Sequence, residues 1–135
     1  MGRSVKNFCA GIHVFVQKGN KFLALQLNEN DDDDQGCWDL PGGGINFGEQ
    51  PLSAAIRETR EEAGINIKIV KLLSILAMPY QNQWSIEMIV AGKYVSGKVK
   101  LSGEHSNYKW ISKKELRAIK PKSAHLKSLL KIINF

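Results

Sequence analysis

The chain begins with two apolar, β-rich stretches, Phe8–Val16 and Phe22–Leu27, separated by the polar segment QKGNK. Gly19 and Asn20 within that segment suit a tight turn, so the pattern predicts a β-hairpin. Cys37–Leu40 then predicts a short extended piece. The Pro-Gly-Gly-Gly sequence that follows it interrupts any regular structure.

A helix is predicted next, from Pro51 to Ala63. Proline suits the first turn of a helix, and Gly64 suits the position just after its end. Small or apolar residues recur every three or four positions between these limits and predict a face directed at a core. The residues of that predicted face are Leu52, Ala55, Ile56, Thr59 and Ala63.

The second half of the chain predicts further strands and two terminal helices. The strand candidates are Ile65–Leu76, Ser85–Val95 and the short Lys109–Ile111, and the helix candidates are Lys113–Ile119 and Ser123–Ile133. The last helix would turn Leu126, Leu129, Leu130 and Ile133 inward. This order of elements predicts an α/β fold, a mixed sheet flanked by helices, as a single domain over residues 1–135.

Length and composition agree with one globular domain. The 135 residues are 43% hydrophobic and 24% charged, which is close to the average for folded proteins and argues against disorder. Cys9 and Cys37 lack metal-binding spacing and are expected to be free thiols in a reducing compartment. No apolar run reaches the roughly 18 residues of a membrane helix, and residues 1–8 lack a signal-peptide core. We therefore expect a cytoplasmic protein without a membrane partner.

Charge is distributed unevenly along this chain of net charge +6. Residues 29–39 carry six acids and no base, and the run Asp31–Asp34 predicts an exposed loop rather than a cation site. From Lys93 to the end, eleven basic residues face only Glu104 and Glu115. This basic third is either an ordinary solvated surface or a surface that attracts phosphates or RNA.

The predicted central helix carries acids that repel one another. In the stretch RETREEAGI, Glu58, Glu61 and Glu62 follow the i, i+3, i+4 spacing and form a flank beside the predicted buried face. A divalent cation would reverse that repulsion, and Mg²⁺ and Mn²⁺ prefer such oxygen ligands. The alternative is a solvated helix in which Arg57 and Glu61 form an i,i+4 ion pair.

The surrounding residues favour the cation. The spacing follows G-x5-E-x7-R-E-U-x-E-E-x-G-U, where U is apolar, from Gly43 to Ile65, and it resembles the Nudix box of the MutT/Nudix hydrolases. Residues 38–43, WDLPGG, are also similar to the usual lead-in of that family. Thr59 is the one departure, since an aliphatic residue is usual there. The fixed positions are Gly43, Glu49, Arg57, Glu58, Glu61, Glu62 and Gly64.

The resemblance implies an α/β/α sandwich that hydrolyses a nucleoside diphosphate linked to another group X, with Mg²⁺ or Mn²⁺ as cofactor. It implies that Glu61, Glu62 and the carbonyl of Gly43 are metal ligands, and that Glu58 is a ligand or a base. Arg57 would orient the carboxylates by pairing with Glu49. The structural support of the site would come from Gly42, Gly44, Glu49 and Gly64.

Two neighbouring residues outside the box are further candidates. Glu104 precedes the extended YKWI segment, where many family members have a glutamate that serves as a metal ligand or general base. His105 is the alternative proton carrier. His13 is expected at an interior or edge position of its strand, and His125 on the helix surface.

Substrate specificity is less evident from the sequence. The aromatic residues among the candidates could stack on a nucleobase and the aspartate could bond its edge, although packing explains each equally well. They are Trp38, Asp39, Phe47, Tyr80 and Trp84. The small size favours a MutT-like nucleoside triphosphate pyrophosphatase. The alternatives are hydrolysis of ADP-ribose, of dinucleoside polyphosphates or of RNA 5′-pyrophosphate, or a non-catalytic nucleotide- or RNA-binding domain, as monomer or homodimer.

Overall fold

The computed structural model describes residues 7–28 and 36–132, so the acidic run Asp31–Asp34 lies outside the described residues. The described elements are β1 (Phe8–Lys18), β2 (Lys21–Leu27), β3 (Trp38–Asp39), β4 (Gly42–Gly44), α1 (Pro51–Ala63), β5 (Asn66–Tyr80), β6 (Gln83–Ser96), β7 (His105–Ile111), α2 (Lys113–Ala118) and α3 (Ala124–Ile132). Cys9 and Cys37 are half-buried and not joined by a disulfide. Within the described ranges, no helix has the length and apolar character needed to cross a bilayer.

The strands form one mixed sheet. Five of them follow the order β3-β2-β1-β6-β5, while β4 pairs with β1 and β7 pairs with β2. The pairing of β1 with β6 is parallel and the other pairings are antiparallel. The predicted hairpin is confirmed, because Gln17 pairs with Phe22 and Lys18 with Lys21 around the Gly19–Asn20 turn.

Helices cover both faces of the sheet, and alternate residues of β1 contribute to the two cores. Ile12 and Val14 belong to a core that α1 covers, whereas Phe15 belongs to a core that α2 and α3 cover. The predicted inward positions Leu126 and Leu129 of α3 are fully buried in the second core. The predicted α/β/α sandwich is therefore confirmed.

The buried face of α1 differs from the predicted one. Leu52 is 51% exposed, whereas Ala54 and Glu62 are buried. The buried stripe consists of Ala54, Ala55, Thr59, Glu62 and Ala63. Because most of these side chains are small, the helix approaches the sheet closely, and the larger Leu52 lies to one side. Thr59 fits the core because its hydroxyl donates to the carbonyl of Ala55, at 2.8 Å.

Several strands run further than predicted, and β5 and β7 differ most. β5 continues through Pro79 to Tyr80 and returns in β6 from Gln83, through a two-residue turn at Gln81 and Asn82 whose φ angles are 46° and 61°. Proline is accepted there because β5 is an edge strand. β7 likewise starts at His105 rather than at Lys109. Its start brings His105 and the neighbouring Glu104 to the end of the sheet.

Candidate active site

The end of α1 fixes the direction of the acidic side chains. Gly64 adopts a φ of 70°, a left-handed conformation that favours glycine, and its N–H donates to the carbonyl of Arg60. Glu58 and Glu62 consequently face β4, the short strand of glycines that precedes the helix. We call Glu49, Arg57, Glu58, Glu61 and Glu62 the box cluster.

Arg57 is the centre of the box cluster. Its Nε and Nη2 donate to the two carboxylate oxygens of Glu49, at 2.8 and 2.9 Å. Its Nη1 donates to Glu58 at 2.9 Å and to Glu61 at 3.1 Å, and Nη2 also reaches the carbonyl of Gly44 at 3.0 Å. The Arg57–Glu49 pair implied by the resemblance is therefore present. Hydrogen bonds from Arg57 lower the pKa of Glu49 to about 2.

The three helix glutamates occupy different environments. The Glu61 side chain is 58% exposed, whereas Glu62 is buried and accepts a hydrogen bond from the N–H of Gly42 at 2.8 Å. Burial, together with the nearby carboxylates of Glu58 and Glu104, raises the pKa of Glu62 to about 9. Glu62 is thus the buried member of the set.

Gly43 lies against the Glu58 carboxylate. A Cβ at Gly43 would come within 2.7 Å of the Glu58 carboxyl carbon, so any side chain there would displace the carboxylate. The absence of a side chain lets the backbone of β4 and an acidic group share one small space. Such a space offers both carbonyl and carboxylate oxygens to a hard divalent cation.

The structure brings Glu104 and His105 to Glu62. The preceding loop is attached to the end of α1 by two backbone hydrogen bonds, from Lys100 to Ala63 at 2.9 Å and from Ser102 to Glu62 at 3.0 Å. The His105 Nε2 atom lies 3.3 Å from the Glu62 carboxylate. One ligand atom from each of Glu62, Glu104 and His105 lies within 4.8 Å of the others, a spacing compatible with metal binding.

These residues line one end of a cavity of about 290 Å³. Of the predicted substrate-binding residues, Asp39 and Tyr80 line this cavity. Trp38 is instead 4% exposed and packs in the core beneath α2 and α3. Phe47 is fully exposed, and Trp84 points to the opposite face of the sheet from the cavity-lining Ser85. Trp38, Phe47 and Trp84 do not line this cavity, and a substrate contact for each of them stays a prediction.

A second group of charged residues lines the same cavity, and we call its members the histidine cluster: His13, Asp39, Glu87 and His125. His125, expected on the surface, stacks on His13 with 3.9 Å between the ring centroids. Sequence reasoning missed Glu87 as well. Its signal in the sequence is a single acid within the otherwise apolar strand segment SIEMIV. That position indicates a functional role only when the neighbouring strands are known.

The pKa values of the two imidazoles in the histidine cluster are shifted in opposite directions. Burial lowers the pKa of His13. Burial also opposes the charge on His125, but its close contacts with the carboxylates of Asp39 and Glu87 outweigh this effect and raise the pKa of His125 to about 10. Although burial favours the protonated carboxyl, the two histidines lower the pKa of Asp39. The cluster therefore combines two carboxylates with one imidazolium and one neutral imidazole near neutral pH.

The fold and the braced glutamates define the class of protein. The family model described as the NUDIX domain matches residues 7–131, and the chain belongs to the Nudix family. An RNA pyrophosphohydrolase of Erythrobacter litoralis is 30% identical over 97 residues, which are 72% of this chain and 56% of that protein. An ADP-ribose pyrophosphatase of Methanocaldococcus jannaschii is 36% identical over 64 residues, which are 47% of this chain and 37% of that protein. The matches thus span about half or less of these relatives.

Solved structures agree with the fold. The MutT protein from Methanosarcina mazei Go1 superposes with a TM-score of 0.82 at 28% identity, covering 93% of this chain and 92% of that one. A MutT Nudix hydrolase from Burkholderia pseudomallei gives a TM-score of 0.83 at 20% identity, covering 96% of this chain and 100% of that one. The sandwich and the position of its helices are therefore shared across nearly the whole chain.

Proposed function

We propose that the chain hydrolyses a pyrophosphate bond in a nucleoside diphosphate linked to X, and that its principal substrates are nucleoside triphosphates, as for a MutT-like pyrophosphatase. The observation that carries this proposal is the approach of Glu58 and Glu62 to the glycine strand β4, with Glu104 beside Glu62, at one end of the cavity of about 290 Å³. The extensive superposition on a MutT protein supports the substrate class.

The proposed cation ligands are the carbonyl of Gly43 and the carboxylates of Glu58, Glu61, Glu62 and Glu104. Bound Mg²⁺ or Mn²⁺ would neutralise phosphate oxygens and lower the pKa of a bound water. Arg57 holds Glu58 and Glu61 in place because it donates to both while anchored on Glu49. Gly42 supports this arrangement because it lets β4 approach β1 closely, and Gly64 supports it by ending α1 in a left-handed conformation. Gly44 contributes its carbonyl, which accepts a hydrogen bond from Arg57.

The structure favours Glu104 over His105 as the general base. The His105 side chain is 2% exposed and its Nε2 contacts Glu62, so it is poorly placed to collect a proton from a water in the cavity. Glu104 is exposed and lines the cavity. Its carboxylate can accept a proton from the attacking water, while His105 restrains Glu62.

The experiment is hydrolysis of a substrate panel with Mg²⁺, followed by separation of the products. The panel contains ribo- and deoxyribonucleoside triphosphates, ADP-ribose, a dinucleoside polyphosphate and 5′-triphosphorylated RNA. We expect a nucleoside monophosphate and pyrophosphate from the triphosphates, loss of turnover in Glu61→Gln, and full turnover in the matched control Glu115→Gln on α2. Absence of turnover on every substrate, with nucleotide binding retained, would show a non-catalytic domain.

Removal of pyrophosphate from RNA 5′ ends is a second candidate function. Basic side chains of Arg117, Lys122, Lys127 and Lys131 surround a groove between α2 and α3, and several curated relatives are named RNA pyrophosphohydrolases. Such a groove would attract an RNA backbone through phosphate contacts, and its affinity would fall steeply with salt.

Charge neutralisation tests this second candidate. The triple variant Lys122→Gln, Lys127→Gln, Lys131→Gln should weaken binding of triphosphorylated RNA and flatten its salt dependence, with nucleoside triphosphate turnover unchanged. The matched control neutralises Lys68, Lys71 and Lys93 on β5 and β6. Equal effects of the two triple variants would exclude a specific role for the groove.

A further inference from the structure

The histidine cluster is assembled from four separate elements. His13 comes from β1, Asp39 from β3, Glu87 from β6 and His125 from α3. Asp39 Oδ2 lies 3.7 Å from His13 Nε2 and 3.5 Å from His125 Nδ1. On the other side of the stacked rings, Glu87 lies 3.8 Å from His13 Nδ1 and 3.5 Å from His125 Nε2. Each imidazole therefore faces Asp39 with one nitrogen and Glu87 with the other.

These separations are too long for hydrogen bonds and leave buried polar atoms without partners. Neither His13 Nδ1 nor Glu87 Oε2 has a hydrogen-bond partner, and the same holds for both ring nitrogens of His125. Four such atoms in one place are unusual, because buried polar groups in folded proteins are nearly always satisfied. Three of these atoms lie between the rings and Glu87, where N–H groups of the two imidazoles can be directed at the carboxylate. The fourth, His125 Nδ1, faces Asp39 beside the cavity, and its position points to a bound species.

We propose that the histidine cluster binds a divalent transition-metal ion, such as Zn²⁺, through His13 Nε2, His125 Nδ1 and Asp39 Oδ2. One ligand atom from each of these residues lies within 4.8 Å of the others. Ligands about 2.0–2.1 Å from a tetrahedral ion are separated by about 3.4 Å. The observed distances from Asp39 Oδ2 are close to that value.

Glu87 would not bind the ion itself but would orient the two imidazole ligands. A histidine that binds a metal through one nitrogen almost always donates its other N–H to a carboxylate or carbonyl, which fixes the tautomer and the ring orientation. Glu87 faces the second nitrogen of both imidazoles, and Ser85 Oγ holds its Oε1 through a 2.8 Å hydrogen bond. One carboxylate can therefore orient both imidazole ligands.

The proposed ligands of the histidine cluster favour a different ion from the one that the box cluster would bind. Two imidazoles and one carboxylate suit Zn²⁺, Fe²⁺ or Co²⁺, whereas oxygen ligands alone suit Mg²⁺. The open coordination positions would face the cavity that Tyr80 and Gln83 also line. The ring planes are inclined by only 24°, so a bound ion would draw both imidazoles out of their stack.

Titration of the metal-free full-length chain with Co²⁺, in excess Mg²⁺, tests the proposal. We expect one equivalent of Co²⁺ to produce visible absorption bands typical of nitrogen ligation, and Zn²⁺ to abolish them by displacement. His125→Ala should weaken Co²⁺ binding by more than about 100-fold, and Glu87→Gln by about 10- to 100-fold. Glu58→Gln and His105→Gln should leave the Co²⁺ affinity unchanged.

The reverse pattern would overturn the proposal: loss of the Co²⁺ spectrum in His105→Gln with retention in His125→Ala would place the ion at Glu62. The absence of a nitrogen-ligated spectrum in the wild-type chain would also overturn it. Imidazole resonances of the wild-type chain provide a readout that needs no variant to fold. Co²⁺ should shift those of His13 and His125 far more than those of His105.

Discussion

Glu62 of the box cluster lines the same cavity as the histidine cluster, but the two clusters are assembled in different ways. Four of the five residues of the box cluster come from two turns of α1, and one of them, Arg57, donates hydrogen bonds to Glu49, Glu58 and Glu61. The histidine cluster takes one residue from each of four elements, and its nearest charges are all buried. A local motif thus produces a set of acids that is half-exposed apart from Glu62, whereas the tertiary fold produces a largely buried set.

Because the two clusters differ in burial, we expect their substitutions to affect different properties of the protein. Exposed and half-exposed charges contribute little to the free energy of unfolding, whereas a buried charge that loses its partner is strongly destabilising. We therefore expect substitutions in the box cluster to change activity and substitutions in the histidine cluster to change stability.

Glu62→Gln should have the largest effect, because Glu62 is the buried carboxylate that faces β4. We expect kcat/KM for Mg²⁺-dependent hydrolysis to fall by more than about 100-fold, since a proposed ligand should exceed the 10- to 100-fold effect of an outer partner. Steady-state kinetics at several Mg²⁺ concentrations measure this effect. Activity within threefold of wild type would remove Glu62 from the proposed ligand set.

Arg57→Lys should lower kcat/KM by about 10- to 100-fold, because lysine cannot reproduce the bidentate contact with Glu49 or reach Glu58 and Glu61 together. Higher Mg²⁺ concentrations should recover part of the loss. Arg60→Lys, on the same helix, is the matched control. Equal losses in the two variants would indicate a general need for arginine on α1 instead of a specific brace.

Glu87→Gln should lower the free energy of unfolding of the metal-free chain by about 1–3 kcal/mol, because two buried imidazoles lose a charged partner. Urea denaturation measures this change. Glu61→Gln is the control and should change the free energy of unfolding by less than about 0.5 kcal/mol. If both substitutions cost the same, the two clusters do not differ in the way proposed.

The smallest expected effect concerns the pKa of Glu49. It is about 2 in the folded chain and 4.5 in the absence of interactions, so this pair stabilises the fold above pH 4.5 and the contribution is lost as the pH falls through 2. Carboxyl NMR resonances should show a pKa that rises towards 4.5 in Arg57→Met and stays near 2 in Arg60→Met. An unchanged pKa in Arg57→Met would assign the shift to Asn46 instead.

The same contrast explains what the sequence could predict. The hairpin and α1 depend on short-range spacing, and the structure confirms them. The α/β/α sandwich and the Arg57–Glu49 pair were implied by the resemblance of the motif, and both are present. Leu52 was placed wrongly because small residues beside it allow a closer helix–sheet contact than the apolar period indicates. The metal-ligand roles remain predictions of the motif.

The histidine cluster was beyond sequence reasoning for a physical reason. His13 and Glu87 become neighbours only because β1 and β6 pair in parallel, and this pairing joins segments separated by about seventy residues. His125 seemed a surface residue because its helix neighbours are lysines and leucines of ordinary spacing. The burial of Trp38 beneath α2 and α3 was not predictable either, because a strand of two residues does not show which face of the sheet each side chain meets.

The loop before β7 shows how this active site can tolerate change. Its position depends on backbone bonds from Lys100 and Ser102 to the last turn of α1, and on a third bond from Asn28 to the carbonyl of Glu104. Backbone groups are the same in every residue except proline, so Lys100 and Ser102 can be replaced without loss of these bonds, whereas Val99 and Leu101 pack against the core. Deletion of one residue, in contrast, would move Glu104 away from Glu62, so the length of this loop is more constrained than the identity of its residues.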